Sequence, residues 1–153
     1  MRVTRRAVVA RLGALWVAAW AGLLRPLAAL ARPWDRKAFE AQLLADALQA
    51  LGLTKARESQ DVIIKAPEIA ENGAQVPIEI STTIAGADSI YLFVDKNPQP
   101  FAGSFSFMSG AQPFVVTRIK MAETSVLRVI VRAGDNQYTA SREVKVTIGG
   151  CGE

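Results

Sequence analysis

The 153-residue sequence contains no histidine and one cysteine, and these absences exclude much of enzyme chemistry. Without histidine the chain cannot form a Ser–His or Cys–His nucleophilic pair, and it lacks the usual nitrogen ligand of zinc. Without a second cysteine it cannot form an internal disulfide, so packing and hydrogen bonds must stabilise its fold. We therefore expect a protein that is not an enzyme by itself and that has no cofactor of its own.

The first 31 residues lack acidic side chains and predict an export signal. Residues 1–31 contain five arginines and no Asp or Glu, and a basic start precedes an apolar run of 13 residues at 12–24. With Ala29-Leu30-Ala31 as a cleavage site, this order is typical of a signal peptide. The run is shorter than the roughly 20 residues that span a bilayer, so we expect no membrane anchor in the mature protein. The Arg5-Arg6 pair resembles a twin-arginine signal, and an ordinary secretory signal is the alternative.

Removal of this signal changes the charge of the protein. The whole chain has 18 Lys and Arg against 14 Asp and Glu, a formal net charge of +4. Since residues 1–31 hold five of the basic residues and none of the acidic ones, residues 32–153 keep 13 basic and 14 acidic residues, a net charge of −1. A mature domain without excess positive charge is not expected to bind nucleic acid.

Residues 32–60 are predicted to form a helix and a linker. Apolar side chains recur at helical spacing over residues 34–51, which predicts one amphipathic helix, and Gly52 marks its end. We expect this helix to cover one end or side of the core and to carry no chemistry. The apolar positions are Phe39, Leu43, Leu44, Ala47, Leu48 and Leu51.

Residues 61–148 are predicted to form an antiparallel β-sandwich, because short strand-like runs are separated by turn signals and no run alternates with a helix. The predicted hairpin turn is Gly134-Asp135-Asn136, and Pro77 suggests an edge strand or a first strand position. The seven predicted strands cover 61–65, 75–81, 89–95, 101–108, 113–120, 124–133 and 136–148.

Two groups of side chains within these strands invite functional interpretations. Phe101, Phe105 and Phe107 recur along one strand and are assigned to the core, with a partner interface as the alternative. Arg118 and Lys120 flank an apolar residue and could meet an anion, but alternating charges usually form the solvated face of a sheet. We expect neither group to carry chemistry.

The lone cysteine, Cys151, follows the last predicted strand in the sequence Gly149-Gly150-Cys151-Gly152-Glu153. Glycines remove the side chains that would order or bury this segment, so residues 149–153 are predicted to be a flexible arm. The thiolate is the reactive form, with an unperturbed pKa of about 8.5, and the chain has no histidine to generate it. The arm therefore suits either a covalent carrier that a partner activates or an intermolecular disulfide, and the residues alone leave both open.

Four sequence blocks form a pattern that extends beyond this arm. On these blocks the mature chain resembles the SoxY family, the sulfur-carrying subunits of bacterial thiosulfate oxidation. The resemblance covers the whole mature chain, and the export signal and the preceding helix also fit it. The blocks are Ala66-Pro67-Glu68-Ile69-Ala70-Glu71-Asn72-Gly73-Ala74 with Val76-Pro77, Asn97-Pro98-Gln99-Pro100, Thr117-Arg118-Ile119-Lys120-Met121, and Val146-Thr147-Ile148-Gly149-Gly150-Cys151-Gly152.

The resemblance implies an immunoglobulin-like sandwich, a periplasmic location and a heterodimer with a SoxZ-like β-sandwich subunit. It also implies that a haem enzyme conjugates thiosulfate to Cys151, a hydrolase releases sulfate, and a sulfur dehydrogenase oxidises the sulfur that remains. In this cycle Cys151 is the covalent attachment site, and Gly149, Gly150 and Gly152 keep the arm thin and mobile. The family's arm usually ends Gly-Gly-Cys-Gly-Gly, whereas here Glu153 places a carboxylate two residues from the sulfur.

Overall fold

A computed structural model describes residues 35–108 and 110–147 of the chain. These residues form two short helices and nine strands. The predicted signal at 1–31 and the predicted arm at 149–153 lie outside them. In chain order the elements are α1 (Arg36–Glu40), α2 (Leu44–Ala50), β1 (Arg57–Glu58), β2 (Val62–Lys65), β3 (Ile69–Ala70), β4 (Val76–Thr82), β5 (Ser89–Val94), β6 (Phe101–Ser106), β7 (Phe114–Ile119), β8 (Ser125–Ala133) and β9 (Asn136–Val146).

The strands form two sheets. The larger has the order β1-β9-β8-β5-β6 with β3 also paired to β9, and the smaller has the order β2-β4-β7. All seven predicted strands are present within two residues at each end, over the part of the chain that is described. The two unpredicted strands, β1 and β3, have two residues each and pair with β9 in parallel. Strands this short show no periodicity, so only their tertiary contacts define them.

The core lies between the two sheets, as strand alternation predicts. Ile78 and Ile80 of the smaller sheet pack in one buried cluster with Leu92, Leu127 and Val129 of the larger sheet. The mainly β, two-sheet architecture is therefore confirmed, and the immunoglobulin-like assignment stays a prediction. Among the described residues, no helix is long and apolar enough to cross a membrane.

The single helix predicted over residues 34–51 is wrong, because two helices occupy this region. α1 ends at Glu40, and both Ala41 and Leu43 have extended backbone conformations before α2 begins. The break exposes Leu43, which is 64% accessible although the periodicity placed it on the buried face. Helices this short depend on packing rather than on propensity. Both pack on the outer face of the larger sheet, where Phe39 contacts Phe101 with ring centroids 4.4 Å apart.

The prediction that Pro77 marks an edge strand or a first strand position is also wrong, since β4 is the central strand of the smaller sheet and Pro77 is its second residue. On one side Pro77 is paired with Arg118 of β7. On the other side the pairing with β2 ends at Lys65↔Glu79, before Pro77 is reached. Because β2 is too short to reach this position, the missing N–H of proline costs no hydrogen bond there.

The outer face of the smaller sheet carries exposed apolar side chains. Ile63, Phe114 and Val116 are 42%, 48% and 66% accessible. Among the described residues both helices pack against the opposite, larger sheet, so this face has no helical cover. Phe101 is buried, and Phe105 and Phe107 are half-buried against the core, which confirms their assignment to it.

Asp88 is the centre of a polar network near the β8–β9 turn. Ser89 Oγ and Arg132 Nε donate to Asp88 Oδ1 at 2.6 and 3.2 Å, and the backbone N–H of Gly134 donates to Oδ2 at 3.2 Å. Partial burial raises the pKa of Asp88, but these hydrogen bonds and the Arg132 charge outweigh it, so the pKa lies below the ordinary value of 3.8.

We expect Asp88→Asn to destabilise the protein near neutral pH and to matter less in acid. A carboxyl whose pKa is lowered by folding stabilises the fold above its unfolded-state pKa and stops doing so as the pH falls through the lowered value. The loss should stay below about 1 kcal/mol because the carboxylate is partly exposed. Urea denaturation of both proteins between pH 7 and pH 2 measures this loss, with Asp135→Asn in the nearby β8–β9 turn as control. A difference that stays constant with pH would contradict the ion-pair explanation.

Candidate functional site

The predicted attachment site lies just beyond the end of β9. β9 ends at Val146, and Thr147 is the last residue that the structure describes, four positions before Cys151. The other predicted site residues (Gly149, Gly150 and Gly152 of the arm, and Arg5 and Arg6 of the signal) also lie outside the described residues. The candidate site that can be described is therefore the support from which the arm extends.

One side of this support is β3. The backbone N–H of Lys145 donates to the carbonyl of Glu68 at 2.9 Å, and the N–H of Thr147 donates to the carbonyl of Ala70 at 3.1 Å. The parallel register places Ala70 beside Val146. These bonds continue past the last β8–β9 pair, Ser125↔Val144, so β3 holds residues that β8 no longer pairs.

The other side of the support is Thr124, which directly precedes β8. Its hydroxyl accepts a hydrogen bond from the Val146 N–H at 2.9 Å and lies 3.5 Å from the Val146 carbonyl, to which it donates. Because backbone pairing has ended at Val144, the threonine side chain takes the place of the next backbone group of β8. We name Glu68–Ala70, Thr124 and the held residues Lys145–Thr147 the arm base.

Gly73 lets a third segment pack closely against the arm base. Its carbonyl accepts a hydrogen bond from the N–H of Met121 at 2.7 Å. A Cβ at Gly73 would lie 2.4 Å from the Met121 carbonyl oxygen and 2.8 Å from Cγ1 of Val146. Only glycine fits this position without displacement, because real Cβ atoms do not approach backbone so closely.

Asn97 connects the second and third sequence blocks. Its side-chain amide donates to the carbonyl of Lys120 at 2.7 Å, and its side-chain oxygen accepts from the N–H of Ala122 at 2.9 Å. Since Met121 lies between them and bonds to Gly73, the structure brings all four quoted blocks together next to the start of the arm. Thr124 belongs to none of the blocks, and the sequence offers no signal for it except its place before a strand.

An open groove of about 350 Å³ lies beside the arm base. Charged side chains of both signs line this groove, together with the apolar side chain of Ile69, which is 57% accessible. The described residues contain no group of three or more His, Cys, Asp or Glu side chains that could hold a metal ion. Arg118 and Lys120 are exposed, which confirms the solvated face. The groove is lined by Glu68, Ile69, Arg142, Glu143 and Lys145.

Comparison with known proteins agrees with the pattern of the four blocks. The family described as "Sulfur oxidation protein SoxY" matches residues 48–151, a range that includes the arm base and ends at Cys151. A solved structure, that of the sulfur carrier protein SoxY from Chlorobium limicola f thiosulfatophilum, is 46% identical to this chain. The similarity covers 69% of this chain and 96% of that one, with a TM-score of 0.62.

A comparison with curated proteins finds no match. The family match nevertheless spans more than half of the chain, and the similar structure shares both its fold and nearly half of the aligned residues. We conclude that the chain belongs to the SoxY family.

Proposed function

We propose that this protein is a periplasmic sulfur carrier of thiosulfate oxidation that binds its cargo covalently through Cys151. The observation that carries the proposal is the family match to residue 151, because Cys151 is the only thiol of the chain. The similar structure is that of a sulfur carrier protein, which supports the same role here. The protein itself catalyses no step in this proposal.

The proposed loading reaction is an oxidation. The Cys151 thiolate and the terminal sulfur of thiosulfate form an S–S bond, and the two electrons released pass to the haem enzyme that acts on the carrier. The product is Cys151–S–S–SO3⁻. A hydrolase then adds water to the sulfonate sulfur, so that the S–SO3 bond breaks, sulfate and two protons leave, and a persulfide remains on Cys151.

The remaining steps regenerate the carrier. A sulfur dehydrogenase would oxidise the outer sulfur of the persulfide with oxygen atoms from three waters, releasing six electrons and six protons to its own acceptors. This gives Cys151–S–SO3⁻, and a second hydrolysis releases sulfate and the free thiolate. The chain has no histidine to act as a base, so partner enzymes must supply the catalytic groups for all these steps. The Cys151 sulfur must therefore enter the active sites of those enzymes.

The arm base supports this role geometrically. Cys151 is the fourth residue after Thr147, so their Cα atoms are at most about 14 Å apart. A cysteine on such a tether can enter a channel in an enzyme while the sandwich stays folded. The glycines around it add no side-chain bulk to the part that enters.

Membership of the SoxY family implies partnership with a SoxZ subunit. We infer a heterodimer with a SoxZ-like β-sandwich protein, and transient complexes with the haem enzyme, the hydrolase and the dehydrogenase. The signal-like residues 1–31 support export to the periplasm, with Arg5-Arg6 directing it through the twin-arginine route. This route transports folded proteins, so the heterodimer could form before export.

The test is the intact mass of the native protein isolated from the periplasm, before and after treatment with a reductant. We expect masses above that of chain 32–153 by one or more sulfur atoms or by a thiosulfate-derived group, all removed by the reductant. Under non-denaturing conditions the same sample should contain a second, SoxZ-like subunit. The chain's own mass should appear alone after reduction.

The competing function is an interaction protein whose C-terminal cysteine joins two copies by a disulfide. In that case the unreduced sample would have twice the mass of the chain and no sulfur additions, and reduction would halve it. This result would overturn the carrier proposal. A mass that starts before residue 32 would contradict only the proposed cleavage.

A further inference from the structure

The geometry points to the arm base as a clamp that sets the point from which the arm extends, with Thr124 as its positioning residue. This inference rests on the proposed carrier function and adds to it. Thr124 does not touch the cysteine; it acts through Val146, whose N–H it binds at 2.9 Å.

The need for a clamp follows from the pairing of β9. β8 pairs with β9 only as far as Ser125↔Val144, which leaves Lys145, Val146 and Thr147 beyond the end of the ladder. Strand ends without partners open with little free-energy cost. Here successive residues are held from alternate sides: β3 binds the N–H groups of Lys145 and Thr147, and Thr124 binds that of Val146.

The clamp determines the length of the tether. With the chain held at Thr147, Cys151 is the fourth residue beyond the fixed point. If the clamp opens, the fixed point moves back to Val144 and the tether gains three residues, about 10 Å. A longer tether samples a larger volume, so the effective concentration of the sulfur at a fixed point in a docked enzyme falls.

Thr124 suits this role because one hydroxyl serves both polar groups of Val146. It accepts from the N–H, and it donates to the carbonyl at the longer distance of 3.5 Å. Valine has nearly the same shape as threonine and removes both bonds, whereas serine keeps the hydroxyl. Thr117 of β7, beside Ile78 in the smaller sheet, offers a matched Thr→Val control.

The experiment compares the wild-type chain with Thr124→Val, Thr124→Ser and Thr117→Val. Three rates are measured on each full-length protein in its native complex: hydrogen exchange of the Val146 amide, alkylation of Cys151 by iodoacetamide, and loading of Cys151 from thiosulfate by the haem conjugating enzyme. Alkylation reports on the thiol itself, since the small reagent needs no docked geometry.

We expect Thr124→Val to exchange the Val146 amide about five- to tenfold faster, the change that one lost hydrogen bond produces. Loading at low carrier concentration should slow measurably, by up to about two- to threefold, which is the limit for a clamp that stays open and leaves the longer tether. Alkylation should not change. Thr124→Ser keeps the hydroxyl, so its exchange and loading rates should return most of the way to those of the wild type. Thr117→Val should match the wild type in all three rates.

Unchanged exchange in Thr124→Val would show that Thr124 does not hold β9, and faster exchange with normal loading would show that the clamp positions nothing. Either result overturns the inference and leaves the proposed function intact. A wild-type protein that cannot be loaded although Cys151 is alkylated would overturn the proposed function, and the inference with it.

Discussion

Replacing Cys151 with serine is expected to abolish every reductant-sensitive addition to the protein. Cys151 is the only sulfur nucleophile of the chain, and a serine oxygen cannot form the S–S bond on which loading depends. The expected result is complete loss, not reduced affinity, since no second thiol can take over. Intact mass spectrometry after incubation with thiosulfate and the haem conjugating enzyme measures it directly.

The fold of this variant should be unaffected. Cys151 lies four residues beyond Thr147, and the glycines on both sides of it bring no side chains that could pack against the fold. We expect the free energy of unfolding to stay within about 0.5 kcal/mol of the wild type. A useful companion is the double variant Cys151→Ser with Gly152→Cys, which restores a thiol one residue further along the arm. Additions that persist on Cys151→Ser alone would show that the cargo is attached elsewhere.

Replacing Gly73 with alanine is expected to cause the largest loss of stability among the predictions made for the described residues. The added Cβ would lie 2.4 Å from the Met121 carbonyl oxygen, which is backbone and cannot rotate away. Overpacking of this kind typically costs about 1–3 kcal/mol. The 2.8 Å approach to Cγ1 of Val146 means that this side chain of the arm base must shift as well. Urea denaturation measures the loss, and exchange of the Val146 amide reports the displacement.

Gly103 in β6 provides the matched control. A Cβ at this position would meet no atom within 4 Å. Alanine there should be neutral or stabilising by about 0.5 kcal/mol, since glycine within a strand loses more conformational entropy on folding. Equal stabilities of the two alanine variants would contradict the close packing at Gly73. If Gly73→Ala is destabilised but the Val146 amide exchanges at the normal rate, the close packing at Gly73 does not affect the arm base.

Much of the sandwich could be predicted because strand formation leaves a local trace. Alternating side chains such as Leu127, Val129 and Val131 mark one buried face, and the observed β8 confirms it. The Gly134 turn is likewise a local signal, and it joins β8 to β9 through two residues, with Gly134 at φ 58°. The family could also be predicted, since each of its four blocks is a continuous stretch of sequence.

The two wrong predictions, the single helix over residues 34–51 and the strand position of Pro77, have a different origin. The break between α1 and α2 contains neither proline nor glycine, so no local signal marks it, and the periodicity continues through Leu43. Residues on both sides of the break pack in one cluster with Phe93 and Phe101, which lie far along the chain. The position of Pro77 depends in the same way on where β2 ends, which is a property of another strand.

The sequence by itself determined the chemistry: one thiol between glycines, no histidine and no second cysteine. These are properties of residue types, which folding cannot alter. Only the tertiary structure decided how the arm is supported, because Ala70, Gly73 and Thr124 meet Val146 across long stretches of chain. Hydrogen bonds and close contacts between distant residues leave no periodic pattern, so this support became visible only in the folded chain.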